Sequence, residues 1–541
     1  MENLTEKTVG ELLKESSKKY SKIKAVEYLN YTYSKTWEEL DKESDSLAKG
    51  LVKFGIKKND CVAIWGTNSP EWLLSFLAIS KIGAIAVPFN TSYRTNEIEY
   101  LLNQSRSKYL IVSEGFKELK YKEIIKNLKG KLQYLKKIIY FGQEKFKDEK
   151  ECEFYSYSNL FKLGRDITNN NLERIKKKVS SNDILVILYT SGTTNFPKGV
   201  MLTHNSMINN AIGIAEALEF TKKDKLCIPT PFFHCFGLSA SIIACIVKGT
   251  TMIPIDYYKP SEVLKAIDKF KCTALHGVPT MFISLLNHPM MKKFNLNSLR
   301  TGIIAGDSCD KKIIKKIIDT LGVTELLTSY GQTECSPAIT ISKTKDNLEK
   351  RISTVGKKMP YIEIKIINSK TGEKVNEGEI GELCTRGYHL MKGYYGKPQE
   401  TKKIIDKDGW LHTGDLASVD KEGYYKIHGR MKDIIIRGGE NISPMEIENI
   451  ILEFKEINSC KVIGVFDERL GQEIAVCLVL NENIQIEKIK NKLIERLANY
   501  KVPRYFEIFK EFPMTASGKI EKYKLKNILE KIYHKEEKDG E

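Results

Sequence analysis

Apolar residues recur in two rhythms along this chain, and the change between them predicts where the architecture changes. Residues 184–188, 251–255, 273–275 and 302–304 are short continuous apolar runs. Between them, segments such as 260–270 and 311–320 repeat their apolar positions at helical spacing. That alternation predicts α/β units around a largely parallel sheet. Residues 78–112 repeat the theme as helix, strand ending at Pro88, helix, and a strand over 109–112. After Pro360 the period becomes two. Ile362-Glu363-Ile364-Lys365-Ile366 alternates strictly, and residues 378–386 and 424–429 read as strands between turns. This predicts a small, mostly antiparallel, barrel-like β subdomain. From Pro444 the α/β rhythm returns with a helix, strands near Val462 and Val476, a helix from Ile486 and a strand before Phe512.

The fold class expected is therefore α/β: a large N-terminal domain of α/β sheets with a small β subdomain, then a small α+β C-terminal domain. The charged stretch 430–433 follows a glycine and is the expected boundary, dividing residues 1–430 from 431–541. A chain of 541 residues exceeds what one ordinary core organises.

Composition narrows the class. The first ten residues are polar and mixed in charge, which predicts neither a secretory signal nor a transit peptide. No apolar run reaches the roughly 18 residues of a membrane span; the longest, 72–88, is interrupted by Lys81. A cytoplasmic protein is expected, with peripheral membrane contact and a homodimer left open. The eleven cysteines are scattered without a C-x-x-C pair, and the eight histidines form no H-E-x-x-H. Reduced core residues fit that pattern better than disulfides or zinc. The net charge of +17 raises the question of nucleic acid. The lysines are interleaved with glutamate and lack an aromatic-basic recognition motif, so a solvated surface is expected and no nucleic-acid partner.

The densest chemistry lies in Tyr189-Thr190-Ser191-Gly192-Thr193-Thr194-Asn195-Phe196-Pro197-Lys198-Gly199, after an apolar strand and before a helical pattern. Glycines free backbone N–H groups to approach phosphate, hydroxyls donate to its oxygens, and Lys198 adds charge. The spacing is neither that of a Walker A loop nor that of a dinucleotide fingerprint. An ordinary polar βα turn needs perhaps two such residues.

This segment resembles the phosphate-binding signature of the adenylate-forming superfamily, which includes acyl-CoA synthetases, luciferases and peptide-synthetase adenylation domains. Asn195 departs from it, where the family usually carries Gly; Asn tolerates a left-handed backbone. Further segments carry the resemblance in the family's order. Tyr330-Gly331-Gln332-Thr333-Glu334 is similar to the adenine-and-magnesium segment, which casts Glu334 as the Mg²⁺ ligand and Thr333 as an α-phosphate contact. Gly306-Asp307-Ser308 resembles the stretch bordering adenine. Thr413-Gly414-Asp415 resembles the motif whose carboxylate accepts the ribose hydroxyls, a vicinal diol that two carboxylate oxygens match. Around the expected boundary, the resemblance gives Arg430 to the ribose, Lys432 to the hinge, and Gly438 and Gly439 to the edge of a pantetheine tunnel. Pro513-Met514-Thr515-Ala516-Ser517-Gly518-Lys519-Ile520 resembles the segment that delivers the catalytic lysine, here Lys519.

The resemblance implies an ATP-dependent ligase that joins a carboxylic acid to coenzyme A through an acyl-adenylate, with Mg²⁺ as cofactor and a C-terminal domain that rotates between half-reactions. Pro231-Phe232-Phe233-His234-Cys235-Phe236-Gly237-Leu238 resembles the acyl-pocket segment, placing His234, Phe236 and Gly237 beside the acyl group. The expected helix over 239–247 contains Ala240, Ala244 and Cys245, and small side chains leave room for a medium or longer fatty acid. The segment lacks the Asp that amino-acid-activating relatives carry. An aryl or carnitine-like acid, and transfer to a carrier protein in place of coenzyme A, stay as alternatives. A non-catalytic binding protein would have lost Lys519, Glu334 or Asp415, and none is lost.

Overall fold

The computed structural model describes residues 4–142, 153–190, 197–307, 309, 311–515 and 518–536. Among them, two large sheets dominate. In the eight-stranded sheet the strands Ile184–Thr190, Ile85–Phe89, Cys61–Trp65, Tyr109–Ser113, Lys137–Phe141 and Glu153–Ser156 run parallel. In the nine-stranded sheet the parallel strands are Glu325–Gly331, Thr301–Ala305, Ala274–Gly277, Lys225–Ile228, Thr251–Pro254 and Lys24–Glu27. Most of these strands are buried along their length, because helices cover the faces of a parallel sheet and leave no wet side.

Helix Pro70–Lys81 shows how the core is built. Every residue from Trp72 to Lys81 is buried, so the helix is apolar nearly all round. Each large side chain removed from water contributes on the order of 2–3 kcal/mol. Lys81 is the exception, and its ammonium does not go unpaired: Nζ donates to Asp41 and Asp45 carboxylate oxygens at 2.6 Å each and to Ser44 Oγ at 2.8 Å. A charge buried without partners would be strongly destabilising.

The period-two region forms the expected antiparallel sheet, with strands Ile362–Ile367, Gly381–Gly387, Leu411–Val419 and Tyr425–Arg430 in that order. A 3-10 turn, Met431–Asp433, follows it. Beyond lies the small α+β unit: strands Ile457–Asp467, Gly471–Leu480 and Tyr505–Ile508, helices Pro444–Ile451, Ile486–Arg496 and Lys522–Glu536, and two apolar clusters of its own.

Two local expectations change. The helical pattern expected directly after the phosphate-loop segment begins only at His204, because Lys198–Thr203 is a strand. It pairs antiparallel with Ile184–Thr190, Thr190 opposite Lys198, so the loop closes a hairpin and not a βα turn. Its other edge is taken by Gly393–Tyr394, which the chain brings back from the β region. The expected helix over 239–247 is interrupted: Leu238–Ile243 is a π-helical turn between Cys235–Gly237 and Ala244–Lys248. Single π turns inside helices often sit beside functional sites.

Candidate active site

The candidate residues stand at strand ends and in the turns that follow them, the position at which open α/β sheets bind ligands. Strand Glu325–Gly331 carries Tyr330 and Gly331 to its end, and the 3-10 turn Thr333–Cys335 then presents Thr333 and Glu334, both nearly buried. Glu334 Oε1 accepts from the Tyr394 hydroxyl at 2.8 Å, and its carbonyl accepts from Met391 N–H at 2.9 Å. Between these residues, the Gln332 side-chain nitrogen is buried with no hydrogen-bond partner. A donor in that state points to a missing acceptor, because buried polar groups are otherwise satisfied.

Lys198 stands at the end of the hairpin. Its Nζ donates to Glu400 Oε2 at 2.6 Å and lies 5.1 Å from the Tyr394 ring centroid. The expected phosphate cation is therefore held by a carboxylate on helix Pro398–Ile404. Thr190 ends the preceding strand. Ser191, Gly192, Thr193, Thr194 and Ser308 lie outside the described residues.

His234 caps the short helix Cys235–Gly237, its Nδ1 accepting from Phe236 N–H at 3.2 Å. Burial, and then the Lys519 ammonium, push its pKa down to about 3. The imidazole is neutral, with its proton on Nε2. Cys235 Sγ lies 3.7 Å from Thr333 Oγ1, so the acyl-pocket segment and the Glu334 turn share one wall. Phe236 stacks on His276, ring centroids 5.7 Å apart. Gly237 ends the same short helix. A Cβ there would collide with the Pro231 carbonyl, so the glycine permits backbone packing.

Lys519 comes from the C-terminal unit on a tight turn. Its N–H donates to Thr515 Oγ1 at 3.0 Å, and its carbonyl accepts from Thr515 N–H at 2.7 Å. The turn is fastened to the large unit by Thr280, whose hydroxyl donates to the Gly518 carbonyl at 2.7 Å. Gly518 has φ +80°, and a Cβ there would lie 3.0 Å from Val278 Cγ2. Both facts demand glycine. The Lys519 side chain passes over Gly306: its Cε is 3.3 Å from where a Gly306 Cβ would stand. Next to Gly306, Asp307 lies 3.8 Å from Lys461 Nζ, a buried ammonium of the C-terminal unit that also meets Glu448 at 3.4 Å.

Asp415 is buried, and both its oxygens are engaged. Oδ2 accepts from the Tyr330 hydroxyl at 2.6 Å, and Oδ1 forms an ion pair with Arg430, its Nε 3.1 Å away. Burial raises its pKa, opposed by Arg430 and Tyr330. A carboxylate has about four acceptor positions, so these bonds leave capacity for a diol. Gly438 and Gly439 form the turn between strands Ile435–Arg437 and Glu440–Ile442, with Gly438 N–H donating to the Leu470 carbonyl at 2.8 Å. Lys432 sits in the 3-10 turn after Arg430, its pKa lowered first by burial and then by Arg430. Tyr394 and Thr280 were given no role by motif reading, and Gln332 was read only as part of its motif. Each lies near a recognised motif, and only contact reveals its part.

These contacts tie the Lys519 turn to Gly306 and Thr280, the neutral His234 segment to the Glu334 turn, and Tyr330 on the adjoining strand to the buried Asp415. The profile of the AMP-binding enzyme family matches residues 13–395, and that of the AMP-binding enzyme C-terminal domain matches 446–519. YngI of Bacillus subtilis (strain 168), provisionally named an acyl-CoA synthetase, is 41% identical over 97% of this chain and 98% of its own. The mitochondrial medium-chain acyl-CoA ligase ACSF2 of Danio rerio is 35% identical over 98% of this chain and 89% of its own. Among solved structures, the anthranilate CoA ligase AuaEII in complex with anthranoyl-AMP superposes with a TM-score of 0.88 at 25% identity, covering 98% of both chains. The o-succinylbenzoate CoA synthetase MenE of Bacillus subtilis, in complex with its acyl-adenylate, gives 0.77 at 26% identity over 97% of this chain and 99% of that one. The chain belongs to the AMP-binding enzyme family and, within it, to the acyl-CoA ligases, which reach the thioester through an acyl-adenylate.

Proposed function

We propose that this ligase activates a medium- or long-chain fatty acid and that the residues above divide the work as follows. A carboxylate oxygen of the acid attacks the α-phosphorus of ATP, and pyrophosphate leaves. Two anions meet in that step, so fixed positive charge and aligned donors must lower the barrier, each such group by roughly 3–4 kcal/mol. Lys519 supplies the mobile charge. The loop between Thr190 and Lys198 wraps the phosphates, and the Lys198–Glu400 pair opens or shares its ammonium when they arrive. Thr333 donates to the α-phosphate. Gly306, Asp307 and Tyr330 border the adenine, while Asp415 and Arg430 take the ribose.

Glu334 suits Mg²⁺: it is a hard oxygen ligand, buried, with Oε1 on a neutral hydroxyl. Bound there with the phosphates, the ion would neutralise charge on the leaving pyrophosphate. His234, neutral, borders the acyl carboxyl, where an imidazolium would hold the nucleophile back.

In the second half-reaction the thiol of coenzyme A attacks the acyl carbon and AMP leaves. Lys432 is the proposed pivot between residues 1–430 and 431–541, and Gly438 and Gly439 then border the pantetheine arm. The observation that carries the reading is the bond from Thr280 to Gly518, which holds the Lys519 turn against the cleft. The small residues of the π turn and the medium-chain ligases among the relatives support a fatty acid. A second reading, an aryl acid, is favoured by the anthranilate and o-succinylbenzoate ligases of the same fold. No helix among the described residues is long and apolar enough to cross a membrane. The described cysteines are all free, which supports a reducing compartment such as the cytoplasm.

Pyrophosphate release from ATP and Mg²⁺ across a panel of fatty and aryl acids, with and without coenzyme A, tests the proposal. Highest kcat/KM on a fatty acid supports it. Preference for an aryl acid replaces the substrate, and release that never yields a thioester with coenzyme A points to a different acceptor.

A further inference from the structure

The strand that carries Asp415 is not regular. Opposite strand Gly381–Gly387, Cys384 pairs with His412 and Glu382 with Leu416, so residues 413–415 bulge out against Leu383 alone. A bulge of this kind re-aims a side chain, and here the side chain is Asp415. Something must hold it, because a bulge forfeits its ladder hydrogen bonds. Three bonds do so. Thr413 Oγ1 donates to the Leu383 carbonyl at 2.6 Å and accepts from Asp415 N–H at 3.1 Å. Glu382 Oε1 accepts from Gly414 N–H at 3.1 Å. Glu382 is itself buried and fixed from its other oxygen, where His412 Nδ1 approaches Oε2 at 3.0 Å. The far ring nitrogen of His412 lies 3.6 Å from Asp406 Oδ2, and Asp406 accepts from the N–H groups of Asp408 and Trp410 at 2.9 Å each.

We propose that Glu382, steadied by His412, is a positioning residue that holds the Thr413-Gly414-Asp415 bulge in the shape that presents Asp415 to the ribose. The inference rests on the reading of Asp415 as the diol acceptor. Glu382 does not touch Asp415 or the nucleotide. It takes the one backbone donor at the apex of the bulge, Gly414 N–H, so its loss frees the apex to swing and Asp415 with it. A side chain acting this way must matter for nucleotides that carry the diol and not for nucleotides that lack it.

Equilibrium dissociation constants for ATP and for 2′,3′-dideoxy-ATP, measured calorimetrically on the full chain, test this. Glu382→Ala is expected to weaken ATP about tenfold and dideoxy-ATP less than about twofold. Glu382→Gln keeps a carbonyl for Gly414 and an amide for His412, and is expected to stay within about threefold of the parent on both. Asp415→Ala, run in parallel, separates the two claims. If it weakens both nucleotides equally, the ribose reading itself fails. If it discriminates while Glu382→Ala weakens both equally or neither, the positioning role alone is overturned. Should Glu382→Ala not fold, His412→Ala carries the test: a penalty confined to ATP supports the proposal, and equal penalties overturn it.

Discussion

Tyr330 donates its hydroxyl to Asp415 Oδ2 at 2.6 Å, and that bond joins the nine-stranded sheet to the antiparallel one. Burial is the largest influence on Asp415 and raises its pKa, while Arg430 and this hydroxyl oppose the rise. Tyr330→Phe removes one opponent, so the carboxyl pKa rises further. The ionised form is the one that accepts a diol. The acid limb of kcat/KM for ATP is therefore expected to move to higher pH, with a fivefold to tenfold higher KM as a rough scale. An unmoved acid limb removes Asp415 from nucleotide binding.

Lys519→Ala is expected to slow adenylate formation by at least about a hundredfold, the scale of one lost electrostatic contact. Thioester formation from supplied acyl-adenylate and coenzyme A should survive, because in the proposed division of work Lys519 serves only the first half-reaction. The two half-reactions, assayed separately, decide it: equal loss in both sinks the assignment.

Gly237 packs against the Pro231 backbone, so the effect of bulk there is structural before it is selective. Gly237→Ala is expected to cost about 1–3 kcal/mol through overpacking and to lower the thermal midpoint by a few degrees. The chain-length profile should broaden or weaken without moving steadily toward shorter acids. A thermal melt alongside adenylation of graded fatty acids checks both. A stable variant with a clean shift to shorter acids would instead place Gly237 on the wall beside the acyl chain.

His204, His276 and His389 are fully buried, and burial lowers their pKa values to about 4, about 4 and about 3. His276 shows why the neutral form is required. Its Nε2 donates to the Ala240 carbonyl at 3.2 Å, and its Nδ1 accepts from Ile303 N–H at 3.2 Å. A second proton would face that N–H. Each folded pKa lies below the unfolded value of about 6.5, so the unfolded chain binds more protons in between. The stability they contribute is complete above about pH 6.5 and is lost as pH falls toward 4, by about 2 kcal/mol per histidine at pH 5. His276→Gln replaces donor and acceptor without titrating. It should lower stability at pH 7.5, where the ring contacts with Phe220 and Phe236 are lost, and flatten the fall toward pH 5. Denaturant midpoints at the two pH values test this, and a parallel slope in the variant would clear His276 of any share in the acid sensitivity.

The sequence alone determined the elements whose pattern reports their own burial. The strict alternation at Ile362 to Ile366 became an edge strand of an antiparallel sheet, and the continuous run at Ile184 to Leu188 a buried strand, because side-chain period follows the number of covered faces. The order of the glycine, hydroxyl and charged motifs likewise carried the chemistry, since each motif is local. The first fifty residues had no such signal for their place: the short strand Lys24–Glu27 is recruited to the far side of the nine-stranded sheet. Partners across the chain were beyond pattern. Lys198–Thr203 folds back on Ile184–Thr190 and takes Gly393–Tyr394 on its other edge. Lys81 is tolerated in an apolar helix because Asp41 and Asp45 reach it from another. Lys198 meets Glu400, and Lys519 meets the cleft through Thr280 and Gly518. Asp415 points at Tyr330 because of a register shift opposite Leu383. Periodicity records whether a residue is buried, whereas hydrogen-bond register and ion pairing depend on which distant segment does the burying, and only the assembled fold chooses that.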